Sequence, residues 1–408
     1  MAERLLIEAR RVVTCDAERA TAGDPLGVIE EGALLLDGER VIAVGEASAF
    51  AGEGATRLYH DGVILPGLVD AHTHAVWVGS RGEEYAMRMA GADYEAIAAA
   101  GGGILSSMRA VRAASRDELA ATLGARLARM AGLGVTTVEV KSGYGLDEAS
   151  ERRQLEAVAM VGEDARMPRV VPTFLGLHAT PPEAQGDKAA HAARCLGWLE
   201  GIARDGLARW VDAYVDRAAF SVAEVRPVLA RARALGLGVR LHVGQFADVG
   251  GAELAAELGA ASVDHLENVG PAGIAALAGA GVRAVLLPVA SFTLGQAPPP
   301  VAALREAGVG LVVASDANPG TAPTESLPLA LALAVRSYGL TAAEAILGAT
   351  REAAGSLALE VGVLRGGAPA DLALWDLSHE HDLIQPWGVS KVRATLRDGR
   401  VIAGVLPA

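Results

Sequence analysis

The chain has 408 residues, 51% of them hydrophobic and 21% charged, and a formal net charge of −13. This composition predicts a folded protein with a sizeable core and excludes a disordered chain. The length favours one large domain accompanied by a small one. The negative charge argues against nucleic acid and anionic membranes as partners.

Other features of the sequence indicate where the protein acts. Only two cysteines are present, Cys15 and Cys195, which give neither a disulfide framework nor a cysteine zinc cluster. The first residues alternate charged and apolar side chains, so we expect no secretory signal. The longest apolar runs, such as 327–335, are too short to span a bilayer. We therefore expect a soluble, cytoplasmic protein.

Both ends of the chain are rich in short strand candidates separated by turn residues such as Asp37-Gly38. These candidates lie at 5–7, 11–14, 33–36, 41–44, 370–375, 392–396 and 398–402. We predict that the two ends form one β-sandwich domain, built from residues 1–62 and 361–408. This domain would flank a central domain of residues 63–360.

The central region alternates apolar strand candidates with alanine-rich amphipathic segments. The strand candidates lie at 63–70, 135–140, 169–175, 209–214, 237–242, 261–265, 283–288 and 310–315. Eight strands alternating with helices predict an α/β fold, a (β/α)₈ TIM-like barrel. A doubly wound open sheet is the alternative, but no glycine-rich phosphate fingerprint follows an early strand.

Polar residues follow the C-terminal ends of the predicted barrel strands. In barrels of this kind, functional side chains lie at these ends. His72 and His74 are two residues apart, so on a strand they face the same side. Five of the nine histidines occupy strand ends, and Asp316 ends the eighth strand. The five are His72, His74, His178, His242 and His265. This concentration predicts a metal site.

Each candidate also has a structural interpretation. The alternative to metal binding for the histidines is packing in the core. A carboxylate such as Asp316 is costly to bury without a cation, which favours ligation over capping of the following turn. His265 is predicted to hydrogen-bond a metal-bound water or to polarise a carbonyl, and a buried structural histidine is the alternative.

Two basic residues also follow predicted strands. Lys141 either bridges two metals after modification or forms an ion pair with Glu139 or another carboxylate, and we favour the ion pair. Arg81, with Tyr94 and Tyr144 in nearby loops, is predicted to bind a substrate carboxylate, since guanidinium pairs with carboxylate in bidentate fashion. An ordinary surface arginine is the alternative.

Several motifs together carry a family resemblance. VILPGLVDAHTH at 63–74, with a later single histidine, Asp264-His265 and Asp316, resembles the amidohydrolase superfamily, whose members combine a (β/α)₈ barrel with a split β-sandwich. Finer motifs resemble one family within it, the imidazolonepropionases. These motifs are HAVWVGSR at 74–81, GGGILS at 101–106, EVKSGYGL at 139–146, GLHATPPE at 176–183, GGAEL at 250–254, VDHL at 263–266 and DANPGTAP at 316–323.

The resemblance implies a set of site residues. It implies one metal ion, zinc or iron, held by His72, His74, His242 and Asp316. It places the substrate propionate on Arg81, Tyr94 and Tyr144. It places His178, Gln245, Asn318, Gly320 and Thr321 elsewhere around the substrate. Glutamine has no basic group, so Gln245 can only position the substrate by hydrogen bonds.

The resemblance also implies a reaction, the hydrolytic opening of 4-imidazolone-5-propanoate to N-formimidoyl-L-glutamate in histidine degradation. His265 and Asp316 would be catalytic: Asp316 carries a proton to the leaving ring nitrogen, and His265 helps to polarise the carbonyl or to stabilise the oxyanion. A homodimer is implied as well. The alternatives are another amidohydrolase, such as a purine or pyrimidine deaminase, and a non-catalytic metal-binding scaffold.

Overall fold

The computed structural model of the protein describes residues 4–91, 102–217, 219–385 and 387–407. Tyr94, a predicted substrate-binding residue, lies outside these ranges. The strands are β1 (Leu5–Val13), β2 (Val28–Asp37), β3 (Arg40–Glu46), β4 (Thr56–Pro66), β5 (Leu68–Asp70), β6 (Val135–Lys141), β7 (Arg169–Leu177), β8 (Trp210–Val215), β9 (Gly238–Val243), β10 (Ser262–His265), β11 (Arg283–Leu286), β12 (Leu311–Val313), β13 (Leu372–Trp375), β14 (Val392–Arg397) and β15 (Arg400–Gly404). The α-helices span Gly82–Met89, Ile104–Ala113, Arg116–Ala131, Glu148–Gly162, Lys188–Arg204, Val222–Ala234, Gly251–Glu257, Pro271–Ala280, Pro288–Leu294, Val301–Glu306, Leu327–Tyr338, Ala342–Gly348 and Arg351–Ser356.

Strands from both ends of the chain form one seven-stranded sheet with the order β15-β14-β13-β4-β1-β2-β3. At its centre, β4 runs antiparallel to β13 and parallel to β1. Side chains such as Ile7, Ile64 and Leu374 are fully buried in the core of this sheet. The predicted β unit built from both termini is therefore confirmed. Its limits, 1–62 with 361–408, and the barrel limits of 63–360 stay a prediction.

The central strands form a second sheet of eight parallel strands, arranged in chain order from β5 to β12. Helices alternate with these strands, as a (β/α)₈ barrel requires. Several helices begin at a capping box, in which Ser115 and Ser221, for example, exchange hydrogen bonds with a glutamate three residues later. Leucine, valine and alanine side chains of the strands and helices form a large buried core between them. The predicted α/β barrel is confirmed.

The first predicted barrel strand, 63–70, is divided between the two sheets. Its first half belongs to β4, and only Leu68–Asp70 form β5. The chain changes sheets at Gly67, where an added Cβ would overlap the side chain of Thr136. Glycine allows this close approach because it has no side chain. The polar histidines therefore follow a very short strand.

The N-terminal strand predictions also need correction. The candidates at 5–7 and 11–14 are parts of one strand, β1, which has a register shift between Ala9 and Arg11 where it pairs with β4. Charged side chains on the exposed face of β1 interrupt its apolar pattern, so the sequence alone shows two short strands. None of the helices in the described ranges is long and apolar enough to cross a membrane.

Candidate active site

The barrel closes where its first and last strands meet, and this closure brings together residues from distant parts of the sequence. Thr73 and Ala317, just beyond β5 and β12, form a parallel bridge. The Asp316 N–H donates to the carbonyl of His72 over 3.1 Å, and the His74 N–H donates to the carbonyl of Ala317 over 3.0 Å. The predicted ligands from both strand ends are therefore held side by side by backbone hydrogen bonds.

The four predicted metal-binding side chains converge beside this bridge. The Oδ1 atom of Asp316 lies 3.4 Å from Nε2 of His72 and 3.6 Å from Nε2 of His74. Near the end of strand β9, His242 places its Nε2 atom 3.3 Å from Nε2 of His74. All four side chains are buried. The structure thus brings together the three histidines and the aspartate that the strand-end pattern indicated.

The tautomers of two of these imidazoles are set by the carboxylates behind them. Nδ1 of His72 donates to Asp264 over 2.8 Å, and Nδ1 of His242 donates to Asp212 over 3.1 Å. Burial lowers the pKa of His72 well below its usual range, so the ring is neutral and its Nε2 carries a lone pair. Among the described residues, that buried Nε2 atom has no hydrogen-bond partner.

This arrangement fits a metal ion. The lone pair of His72 Nε2 faces a carboxylate oxygen of Asp316. A cation bound between these two Lewis bases would accept electron density from both. The carboxylates of Asp264 and Asp212 fix the histidine rings in the tautomer that leaves Nε2 available, as second-layer carboxylates do in metal sites. Three nitrogen donors and one carboxylate suit zinc as well as iron.

Lys141 lies directly behind these carboxylates. Its Nζ atom is 2.9 Å from Oε1 of Glu139, as predicted, and 2.8 Å from Oδ2 of Asp212. A third carboxylate, Asp264, lies at 3.7 Å. Burial lowers the pKa of Lys141, but the three carboxylates outweigh burial and raise it, so the side chain is a charged ammonium.

The two predicted catalytic residues have unusual backbone conformations. The φ angles of His265 and Asp316 are +81° and +55°, in the left-handed region that non-glycine residues rarely adopt. Burial raises the pKa of Asp316 to about 7. Burial lowers the pKa of His265, but Glu267 and Asp316 outweigh this and raise it. The pKa shifts of both groups therefore favour their protonated forms.

A cavity of about 730 Å³ opens above the cluster. Its wall contains most of the predicted substrate-binding residues, namely Arg81, Tyr144, His178, Gln245, Asn318 and Thr321. His265 and Asp316 also line it, while His72 lies beneath and is fully buried. The predicted residues, drawn from the ends of six barrel strands and the loops beside them, therefore surround one space.

Tyr144 and His178 form one side of the cavity. The loop of Tyr144 is held by the buried carboxylate of Glu151, which accepts the N–H groups of Gly143, Gly145 and Leu146. The Nδ1 atom of His178 donates to the carbonyl of Gly143 over 2.9 Å. Burial lowers the pKa of His178 to about 3, so the ring is neutral and its other nitrogen is an acceptor.

Arg81 lies at the mouth of the cavity beside Glu84. Its Nε atom is 3.0 Å from each carboxylate oxygen of Glu84, and its Nη2 atom donates to the same group. The remaining nitrogen, Nη1, faces Gly320, where an added Cβ would overlap it. Arg88 also approaches, donating from Nη1 to the carbonyl of Gly320 over 3.2 Å. Two guanidinium groups thus converge beside one glycine.

Two predicted polar residues are oriented by neighbours. The Tyr214 hydroxyl donates to Oε1 of Gln245 over 2.6 Å, which turns the amide NH₂ of Gln245 away from the tyrosine. The side chain of Asn318 is used within its own turn, since its Oδ1 accepts the N–H groups of Gly320 and Thr321. Contacts of these residues with a substrate stay a prediction.

Some residues of the site were not predicted from the sequence. The basic side chains of Arg88, Lys188 and Arg217 line the cavity, and Tyr214 contacts Gln245. They belong to no motif with characteristic spacing. Asp212 was also missed, although a single acidic residue within the apolar run of β8 is a signal for a buried partner.

Comparisons with known proteins agree with this geometry. Residues 93–403 match the amidohydrolase family. An imidazolonepropionase from Mesorhizobium japonicum is 44% identical over 396 residues, covering 94% of this chain and 97% of its own length. An imidazolonepropionase from Maricaulis maris is 44% identical over 407 residues, covering 98% of each chain.

Solved structures share the fold. Atrazine chlorohydrolase from Arthrobacter aurescens, in complex with zinc, has a TM-score of 0.74 at 19% identity and covers 98% of this chain and 95% of its own. An adenosine deaminase from Xanthomonas campestris with bound zinc has a TM-score of 0.72 at 21% identity, covering 98% and 92%. These likenesses concern the fold, whereas the full-length identity to the curated relatives is specific. The chain belongs to the imidazolonepropionase family of the amidohydrolases.

Proposed function

We propose that the protein is a metal-dependent hydrolase that opens the ring of 4-imidazolone-5-propanoate to give N-formimidoyl-L-glutamate. The observation that carries the proposal is the shared cavity, which joins the histidine and aspartate donors at its floor to guanidinium groups at its mouth. Relatives 44% identical over nearly the whole chain are imidazolonepropionases. A neutral purine or pyrimidine base would form no ion pair with these guanidinium groups.

The ion, zinc or iron, would be held by the Nε2 atoms of His72, His74 and His242 and by the carboxylate of Asp316. When bound, such an ion lowers the pKa of a coordinated water and polarises a carbonyl oxygen. Burial keeps His72 and His74 neutral. Hydrogen bonds to carboxylates fix the tautomers of His72 and His242.

Two residues are placed to handle the proton and the developing charge. Hydrolysis joins the oxygen of water to the carbonyl carbon, breaks the ring C–N bond and delivers a proton to the leaving nitrogen. Asp316 is suited to carry that proton, because its carboxylate lines the cavity beside the predicted metal position and burial raises its pKa. His265, its pKa raised by Glu267 and Asp316 despite burial, is suited to donate a hydrogen bond to the carbonyl oxygen as charge develops there.

The substrate propionate is an anion and requires positively charged groups in the cavity. The protein has a net charge of −13, which repels an anion at long range. Arg81, Arg88, Lys188 and Arg217 at the cavity oppose this locally. Since Glu84 occupies the Nε edge of Arg81, the Nη1 edge remains for a substrate carboxylate.

The direct test is hydrolysis of 4-imidazolone-5-propanoate by the purified protein, followed as loss of the ring absorbance. We expect turnover that disappears after chelation and returns when zinc or ferrous iron is added back. Adenosine and cytosine, assayed under the same conditions, are the controls for a deaminase. Turnover of a neutral base without turnover of the imidazolone would contradict the proposal.

Gly320→Ala tests the predicted propionate site without removing a polar group. The new Cβ would overlap Nη1 of Arg81, so the guanidinium must move. We expect KM to rise by about tenfold, equivalent to ~1.4 kcal/mol, with a smaller change in kcat. Gly197→Ala is the matched control, because an added Cβ there meets nothing within 4 Å. Equal kinetics for both variants would place the carboxylate elsewhere.

The oligomeric state, location and partners of the protein can also be proposed. We propose a homodimer acting in the cytoplasm on a small anionic substrate, without nucleic acid or membrane partners. The net charge of −13 supports the last point. Light scattering during size-exclusion chromatography measures the mass of the particle, and a value equal to that of one chain would contradict the dimer.

A further inference from the structure

Lys141 is a fully buried cation surrounded by carboxylates. Its Nζ atom lies 2.8 Å from Asp212, 2.9 Å from Glu139 and 3.7 Å from Asp264. None of these side chains is exposed to solvent. Three carboxylates around one buried positive charge form the type of environment that proteins also build around metal ions, whose preferred ligands include such oxygens.

The same three carboxylates support the predicted metal ligands. Asp264 accepts from Nδ1 of His72, and Asp212 accepts from Nδ1 of His242. Glu139 accepts from the N–H of Thr73, the residue between the two first histidines, over 3.2 Å. The ammonium group of Lys141 is thus the common contact of these three carboxylates.

Charge balance explains why a cation is needed at this point. Besides Lys141, the positive group near these carboxylates in the described structure is Arg240, whose Nη2 atom is 3.7 Å from Asp264. Without Lys141, three buried carboxylates would face one guanidinium group, and uncompensated buried charge is strongly unfavourable. Asp212, His242 and Asp264 can also bring ligand atoms within 4.8 Å of one another, close enough to share an ion.

We propose that the ammonium of Lys141 occupies the position of a second metal ion and so restricts the site to one ion. Lys141 is then a positioning residue: it fixes the carboxylates that orient His72 and His242, and it excludes a competing cation from them. The inference depends on the metal site but not on the identity of the substrate.

The test is a count of zinc ions per chain. Wild type, Lys141→Ala and Lys141→Met are purified in buffer containing zinc chloride, separated from free ions by gel filtration, and analysed by atomic emission. Alanine removes the charge and leaves room for an ion, whereas methionine removes the charge but fills the space. We expect Lys141→Ala to hold one zinc more than wild type and Lys141→Met to hold no more than wild type.

Several outcomes would overturn the inference. These are equal zinc content in folded wild type and Lys141→Ala, an extra zinc in Lys141→Met, and a Lys141→Ala protein that does not fold even with zinc present. Circular dichroism establishes folding. Any zinc bound at the His379–His381 segment would be common to all three proteins and would cancel in the differences. A wild type that binds no zinc at the buried site would instead contradict the metal site itself.

Discussion

Asp316→Asn is expected to lower kcat by ~10²–10⁴-fold, the range of a lost proton-transfer group. Asparagine is preferable to alanine here, because the φ of +55° at this position lies in a region that asparagine tolerates. The substitution removes the negative charge and the ability of the carboxylate to accept and release a proton. It keeps the size of the side chain, so we expect the fold to survive.

The measurement is turnover of 4-imidazolone-5-propanoate at saturating zinc, with the zinc content of each protein determined in parallel. Asp61→Asn is the control, since Asp61 is an exposed carboxylate that pairs with Arg10 at the surface. Near wild-type kcat for Asp316→Asn at equal zinc content would remove Asp316 from the proton pathway. If missing zinc accounts for the entire loss of kcat, Asp316 acts only as a metal ligand.

Arg81→Gln is expected to lower kcat/KM for the anionic substrate by ~10²–10³-fold, corresponding to about 3–4 kcal/mol for a lost partner of a buried charge pair. The guanidinium is removed, and Glu84, which it partly neutralises, then repels the substrate carboxylate. The loss should appear mainly in KM, because the carboxylate is remote from the reacting ring carbonyl.

Two further variants sharpen this result. Arg116→Gln applies the same change at an exposed position and should leave the kinetics unaltered. In Arg81→Gln/Glu84→Gln the repulsion is gone, so part of the lost affinity should return. An unchanged kcat/KM in Arg81→Gln would favour a neutral substrate, such as the purine or pyrimidine base considered as the alternative.

The site histidines were predictable because periodicity and strand ends are local features of the sequence. His72 and His74 follow an apolar run, and His242 and His265 end strands of similar composition. In a parallel barrel these ends must meet on one face. The contact between His72 and Asp316 therefore follows from topology, although the two residues are far apart in the chain.

Other contacts depend on packing that no local pattern expresses. Arg88 and Lys188 reach the cavity from helices whose residues have no characteristic spacing to the motifs. The segment 63–70 was predicted as one strand because apolar residues lie on both sides of its centre. The Pro66-Gly67 dipeptide within it, however, is a common mark of a chain reversal or break, and it identifies the point where the chain changes sheets.

The pairing of β4 with β13 has a consequence for biosynthesis. Pro66 is paired in register with Leu372, so the central strand β4 has no partner on one side until nearly the entire chain has left the ribosome. An apolar strand with an open edge is a template for pairing with another chain. Premature termination anywhere before residue 372 would therefore leave that edge of β4 permanently exposed.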